Sequence, residues 1–409
     1  MRTFDPAASG PLADVRVLDL SRLVCGNVLT MMLGDFGADV VKVESPHGGD
    51  PLRAWESGGA PLYWKVYGRN KRSLVLDLAG PAGHDVLLRL ADKADVLVES
   101  FRPGTLERWG IGPDTLHARN PGLVIARVSG FGQTGPYRNR PGYGTLIEAM
   151  SGFAAKNGFP DREPLLPNLP LADMVAGVFG AYAVQVALHA SRNGAPGQVV
   201  DLALMEPLVS ILGIDPALFA LNGERPQRTG NGGKTAAPRN VYRTGDGRYL
   251  AISAPMQSMT ERVFDTIGRP ELKTDARFRT NTDRMKHVGE LDAIIGAWTG
   301  SRPQAEALAI FEAAGVTASA IYEVDQLVAD PHVQEREVLV SMADRDLGSV
   351  LMQNIAPRLS GTPGTMRHPA PAPGEHSRAV LTEAGFPPGE IEALLRTGIV
   401  STVADTKVA

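Results

Sequence analysis

Val15-Arg16-Val17-Leu18-Asp19-Leu20, a helical stretch from about Gly26 to Phe36, and Asp39-Val40-Val41-Lys42-Val43-Glu44 together decide the fold. The two apolar runs read as buried strands, and the intervening segment is long enough for the crossover helix of a β-α-β unit. Further strands are expected at Ser73-Leu74-Val75-Leu76-Asp77, Ala94-Asp95-Val96-Leu97-Val98-Glu99 and Leu123-Val124-Ile125-Ala126-Arg127-Val128. Helical stretches such as Gly83 to Lys93 and Thr105 to Trp109 lie between them. This alternation gives the fold class α/β, an open and mostly parallel sheet covered by helices.

Ligands of such sheets bind beyond the C-terminal ends of the strands. The loops expected there are Ser21 to Gly26, Glu44 to Asp50, Glu99 to Gly104 and Ser129 to Arg140. Arg69-Asn70-Lys71-Arg72, Phe101-Arg102-Pro103-Gly104 and Arg108 supply cations for phosphate and, in Phe101, a flat apolar face for a base. Each of these cations taken singly is equally a solvated surface charge.

The pattern loosens after Glu206-Pro207. Residues 1–206 are read as the N-terminal part of a large domain, 207–240 as a linker and 241–329 as a smaller α+β domain, followed by a segment 330–409. The turn Gly245-Asp246-Gly247 between Val241-Tyr242-Arg243-Thr244 and Tyr249-Leu250-Ala251-Ile252 signals a hairpin. With 409 residues the chain has length for two cores. A charged fraction of 21% and a formal net charge of -4 describe an ordinary globular protein and argue against nucleic-acid binding. No apolar run is expected to reach bilayer-spanning length, and Met1 to Pro6 lacks a signal-peptide core, so no membrane partner and a cytoplasmic location are expected.

Asp173 stands in Leu169-Pro170-Leu171-Ala172-Asp173-Met174-Val175-Ala176-Gly177, at the mouth of an apolar, small-residue helix running to about Ala190. A carboxylate there either caps the helix or acts as a nucleophile toward an acyl carbon. The lone Cys25 excludes an intrachain disulfide and reads as a small buried hydrophobe. The eight histidines show no metal-binding spacing, so no metal site is expected.

Assembled in order, these segments resemble the class III CoA-transferases of the CaiB/BaiF type, the family of formyl-CoA and carnitine CoA-transferases. The resemblance is carried by Pro11 to Leu20, Leu33-Gly34-Asp35-Phe36-Gly37-Ala38-Asp39, Gly49-Asp50, Asn70-Lys71-Arg72-Ser73, Glu99-Ser100-Phe101-Arg102-Pro103-Gly104, Gly130 to Pro136, Gly197 to Asp201 and Pro373-Gly374-Glu375-His376. It implies a Rossmann-like large domain that regains the chain after an inserted smaller α+β domain, and an interlocked homodimer.

The resemblance also implies that Asp173 is the catalytic group, exchanging acyl groups through aspartyl anhydride and aspartyl-CoA thioester intermediates. No permanent cofactor is implied; a coenzyme A thioester and a free carboxylic acid are the substrates. Lys71 and Arg72 are placed near the adenine and 3′-phosphate of CoA, Phe101 at the adenine, and Arg102 and Arg108 around the phosphates. Val24, where formyl-CoA transferase carries a glutamine, is counted with the CoA-binding positions and weakens formyl-CoA and oxalate as the substrate pair. Gly230-Asn231-Gly232-Gly233 resembles the family's glycine loop, with Gly232 and Gly233 shielding the intermediates. The family commonly has alanine in place of Cys25.

An α-methylacyl-CoA racemase of the same fold is the alternative. Those enzymes carry Gly-His-Asp where this chain has Gly142-Tyr143-Gly144, and epimerisation needs an acid and a base on opposite faces of the substrate. A nicotinamide dehydrogenase would need three glycines at the first strand-to-helix turn, where Ser21 to Val28 has only Gly26. A non-catalytic CoA-binding protein of the same fold is a third reading, which the presence of Asp173 speaks against.

Overall fold

The computed structural model describes residues 1–403. They form two compact units: one from Met1–Phe153, Pro167–Gly213 and the chain from Glu337 onward, the other from Ala154–Leu166 and Ile214–Arg336.

In the first unit, β1 (Arg16–Leu20), β2 (Asp39–Glu44), β3 (Lys71–Leu76), β4 (Val96–Glu99), β5 (Val124–Ser129) and β6 (Val199–Ala203) stand side by side in the order β3-β2-β1-β4-β5-β6. All pairs among them are parallel, and Val400–Ser401 adds an antiparallel edge beside β3. Strand order reverses between β1 and β4, so the loops leaving these two strands diverge and open a crevice.

Successive side chains alternate between the two faces. Val17, Val40, Val96 and Val124 pack on one side with α1 (Leu23–Asp35). Leu18, Val41, Leu97 and Ile125 pack on the other with α2 (Pro81–Ala91) and the C-terminal Val380, Leu381 and Ile391. Further along the chain come α3 (Gly144–Met150) and α4 (Leu171–Arg192). α4 is long and apolar enough, by length and composition, to cross a membrane, which corrects the expectation that no run reaches that length. Its Ala172, Ala176, Ala181, Val184 and Leu188 belong to the core of the first unit, which accounts for much of that apolarity.

In the second unit, the turn at Gly247 joins β7 (Arg239–Arg243) to β8 (Tyr249–Ser253), and β9 (Ala318–Ala320) completes an antiparallel sheet. Phe264, Phe278, Leu291, Ile295 and Phe311 from the surrounding helices and loops fill its core. Three segments outside the expected 241–329 belong here: 154–166, 214–240 from the expected linker, and 330–336 from the segment expected to return to the large domain. Residues 154–166 are tied in by Arg228, whose guanidinium donates to the carbonyls of Phe159 (3.1 Å), Ala155 (3.3 Å) and Arg162 (2.9 Å). Helix Asp215–Asn222, inside the expected linker, is tied in by an ion pair between Lys156 and Asp215.

Candidate active site

α4 begins at Leu171, behind Pro170, whose side chain makes no capping hydrogen bond. Asp173 is therefore the third helical residue and not the cap that sequence position suggested. The cap comes from α3: Glu148, with 2% of its surface exposed, accepts the Ala172 N–H at 3.0 Å. The Asp173 carboxylate lies near enough to the backbone N–H groups of Cys25 and of Asp173 itself for both to favour its ionised form.

Helix packing puts Cys25 there. One turn beyond Asp173, Gly177 lets α4 lie against α1, since a Cβ at that position would stand 2.8 Å from Val28 Cγ1 and 3.0 Å from the Cys25 carbonyl. The first turn of α1 thus aims an unsatisfied backbone donor at the Asp173 carboxylate.

That turn is held from beneath by a buried charge network. Leu23, with φ at +63°, adopts a left-handed conformation that a branched side chain rarely takes. Asp50 fixes it by accepting the Leu23 N–H (3.0 Å) while also accepting Asn27 Nδ2 (2.7 Å) and pairing with Lys42 (2.9 Å). Lys42 and Lys71 share Asp19 at 3.2 and 3.1 Å, with Ser21 and Thr30 completing its shell. Burial alone would raise the Asp19 pKa, but the two ammonium groups and two hydroxyls bring it to about 2.

Lys71 is accordingly not a CoA-facing cation. Its side chain is fully buried, with Nζ donating to Asn27 Oδ1 at 2.6 Å as well as to Asp19. Arg72 points to the opposite face, where Asp39 (2.8 and 2.7 Å) and Glu383 (2.9 Å) hold its guanidinium. Both residues start β3, a strand's length from the ends where ligands of a parallel sheet bind. Val24 is buried against Val28, Leu52 and Trp64, and it lines neither the cavity at Asp173 nor the one adjoining it.

Asp173 opens on a cavity lined by Arg22, Phe101, Arg102, Ser129, Gly142 and Tyr143, at the reversal between β1 and β4. An adjoining cavity, sharing Arg22 and Phe101, runs over Leu20, Glu44 and Leu76, the last residues of β1, β2 and β3. Phe101 stands edge-on to Trp109 with ring centres 5.2 Å apart, and Trp109 lines that second cavity. Phe101 and Arg102 are thus brought to Asp173. Arg108 is exposed one helical turn away, donating to Thr105 Oγ1 at 2.9 Å, and Thr105 lines the Asp173 cavity. Gly232 and Gly233 belong to the second unit, where Thr229 and Arg239 both donate to the Gly232 carbonyl.

Burial, reinforced by the charge of Glu148, pushes the Asp173 pKa from 3.8 up to about 6, against the two backbone donors. Asp173 is therefore ionised at neutral pH yet more basic than a solvated carboxylate, which suits a nucleophile. The Cys25 thiol is pushed well above its ordinary value by burial and by Asp173, so it stays protonated and unreactive.

This arrangement needs Gly144. A Cβ there would stand 2.2 Å from Asp173 Oδ2. Because the atom in its way ends a short side chain, Gly144→Ala is expected to fold and to swing the carboxylate off the Cys25 N–H. Turnover should fall about 100-fold, the scale of a misplacement of ~1 Å. Steady-state rates beside thermal melts test this; a well-folded variant with full activity would contradict it.

The model of CoA-transferase family III matches residues 12–377. The chain belongs to this family. This class III CoA-transferase is 42% identical over 376 residues to a succinyl-CoA–D-citramalate CoA-transferase of Chloroflexus aurantiacus, an alignment covering 91% of this chain and 94% of the relative. It is 38% identical to the beta subunit of a succinyl-CoA–L-malate CoA-transferase from the same organism, covering 91% and 94%. A crystal structure of a CaiB/BaiF family protein from Brucella suis superposes with a TM-score of 0.82 at 31% identity, covering 92% of this transferase and 100% of that chain. Glu148, Arg22 and Trp109 had no signal in the sequence of this CoA-transferase, because only tertiary packing brings them to Asp173 and the cavities.

Proposed function

We propose that the protein moves CoA from a short dicarboxylic acyl-CoA to a free carboxylic acid through covalent intermediates on Asp173. An Asp173 oxygen attacks the donor thioester carbonyl, the C–S bond breaks, and a mixed anhydride and CoA thiolate result. The thiolate attacks the Asp173 acyl carbon and expels the donor acid as its carboxylate, leaving an aspartyl-CoA thioester. The acceptor carboxylate attacks that thioester, forming a second anhydride and releasing the thiolate. Attack of the thiolate on the acceptor's acyl carbon gives the product and restores Asp173. One thioester replaces another, so no external energy source enters.

The observation carrying this reading is a basic, half-buried carboxylate facing a cavity beneath the N–H of Cys25. That N–H is positioned for the oxyanion formed each time the Asp173 carbonyl is attacked. Water must be kept from the anhydrides, and the resemblance supports Gly232 and Gly233 as part of that shield.

Two relatives named for succinyl-CoA and a hydroxylated diacid support a dicarboxylate substrate class. So does the cavity beside Asp173, where Arg102, Arg138 and Arg140 stand on its lining, with no carboxylate partner among the described ion pairs. Arg138→Gln with Arg140→Gln is expected to raise KM for a diacid about tenfold and to leave KM for a monoacid of equal length unchanged. Equal effects on both acids would remove the diacid reading.

An exposed apolar stripe on α4, Val178, Tyr182 and Val186 with Phe179 beside it, supports a homodimer. The resemblance adds that the two chains interlock.

The test is incubation with a panel of acyl-CoAs and free acids, following CoA exchange and the intact mass of the protein. An acyl or CoA adduct mapped to Asp173 and released by hydroxylamine is the expected result. Exchange without any adduct would overturn the mechanism. Epimerisation of a 2-methylacyl-CoA without added acid would replace it with a racemase.

A further inference from the structure

We infer that Glu148 is a positioning residue for acyl transfer: from outside α4 it caps the helix that carries Asp173, and its charge directs the breakdown of the anhydride. The inference rests on the nucleophilic reading of Asp173. Three observations converge on Glu148. It is 2% exposed. It accepts the Ala172 N–H at 3.0 Å, on the residue preceding Asp173. Among the described residues no cation pairs with it, although buried carboxylates ordinarily have one. Its helix also supplies Gly144, whose lack of a Cβ leaves the space that Asp173 Oδ2 occupies.

A mixed anhydride has two acyl carbons, and a thiolate adds preferentially to the one whose partner is the better leaving group, the anion of the stronger acid. With Asp173 near 6 and an ordinary carboxylic acid near ~4.3, the substrate's carboxylate leaves and Asp173 keeps its acyl carbon. CoA is then loaded onto the enzyme in preference to returning to the donor, while the final attack on the acceptor's acyl carbon, which expels Asp173, runs against the same bias, so Glu148 favours loading at the expense of release. The unpaired charge of Glu148 adds to burial in producing this bias, while its hydrogen bond occupies the Ala172 N–H and leaves that donor unavailable to the Asp173 carboxylate.

The other ionisable groups around Asp173 are few. Cys25 faces it from α1, and Tyr143 stands at the start of α3. Arg22 and Arg102 line the cavity across from it. Of the remaining neighbours of α4, Arg127 on β5 is spent on Glu99 and Glu107, while Asp201 on β6 and Glu206 in helix Met205–Ser210 are exposed.

Glu148→Gln keeps an oxygen for the Ala172 N–H and removes the charge. It is expected to move the acid limb of kcat/KM down by about one pH unit, and to reduce the burst of free acid seen on mixing with acyl-CoA alone several-fold. Glu148→Asp keeps the charge and shortens the reach, so it should lower the melting temperature and leave the limb within a few tenths of a unit. A limb unmoved in Glu148→Gln, with an unchanged burst, would reduce Glu148 to a helix cap and overturn the inference. If Glu148→Gln does not fold, coupling is read from the other side: Asp173→Asn must shift the infrared titration of the Glu148 carboxyl, and no shift overturns it equally. Failure of the Asp173 mechanism itself looks different, because no covalent adduct would then form in any variant.

Discussion

Asp173→Asn is expected to abolish CoA exchange, lowering kcat by about 10⁴-fold or more, and at the same time to raise the melting temperature above pH 6. The first effect follows from the role of the residue: the amide is a poor nucleophile, and no other group on the cavity lining replaces it. The second follows from the pKa, which burial and the Glu148 charge raise from 3.8 to about 6. Below 3.8 the carboxyl is protonated folded and unfolded, and the substitution changes little. Between 3.8 and about 6 the unfolded chain gives up its proton while the folded one retains it, so the native protein loses stability as pH rises. Above that window the penalty is full, on the order of 1–2 kcal/mol after allowing for partial solvent access, and asparagine removes it. Melts at pH 4 and pH 8 separate the two regimes, together with exchange assays at pH 8. A variant less stable than the parent at pH 8 would contradict the account of a strained, ionised nucleophile.

Asp19→Ala is expected to cost about 3–5 kcal/mol of stability and most of the activity. Asp19 is fully buried between Lys42 and Lys71, and without it Lys42 keeps its ion pair with Asp50 while Lys71 loses the one carboxylate it pairs with among the described residues. Burial already brings the Lys71 pKa down to about 8, with Lys42 opposing its charge, so this lysine has little margin for losing its counter-ion. Asp19, held near 2 against 3.8 unfolded, contributes stability that is present above 3.8 and lost as pH falls through 2. Activity should fall further than stability requires, because the same network fixes Asp50, Leu23 and the α1 turn that presents the Cys25 N–H. Denaturant unfolding of the variant, with rates measured where it remains folded, tests both claims. A loss below about 1 kcal/mol would show the lysines finding other partners.

The two variants also separate what the sequence conveyed from what it concealed. The strands were legible because apolar runs bounded by turn residues carry their period locally, and Val17/Leu18 or Val40/Val41 divide between the two sheet faces as alternation requires. Asp173 was legible as an exception, a charge in an apolar helix, and the glycines at 144 and 177 were in plain view without their meaning. Lys71 and Arg72 were misread because a run of basic residues suggests phosphate binding. Neighbouring residues on one strand face opposite ways, however, and these two stand at the wrong end of β3. The attachment of residues 154–166 to the second unit escaped notice because it depends on Arg228, far along the chain.

By itself, then, the sequence determined the parallel sheet, its helices and the hairpin at Gly247, since periodicity and turn chemistry are local properties; it also exposed Asp173 as an out-of-place charge, and the family resemblance, not the residue's own setting, chose reaction over capping. Only the tertiary structure decided that Glu148 caps the Asp173 helix, that the backbone N–H of Cys25 faces Asp173, and that Lys71 is a buried counter-charge. Burial and distance set the charge state and partners of such groups, and both arise from segments that meet only when the chain folds.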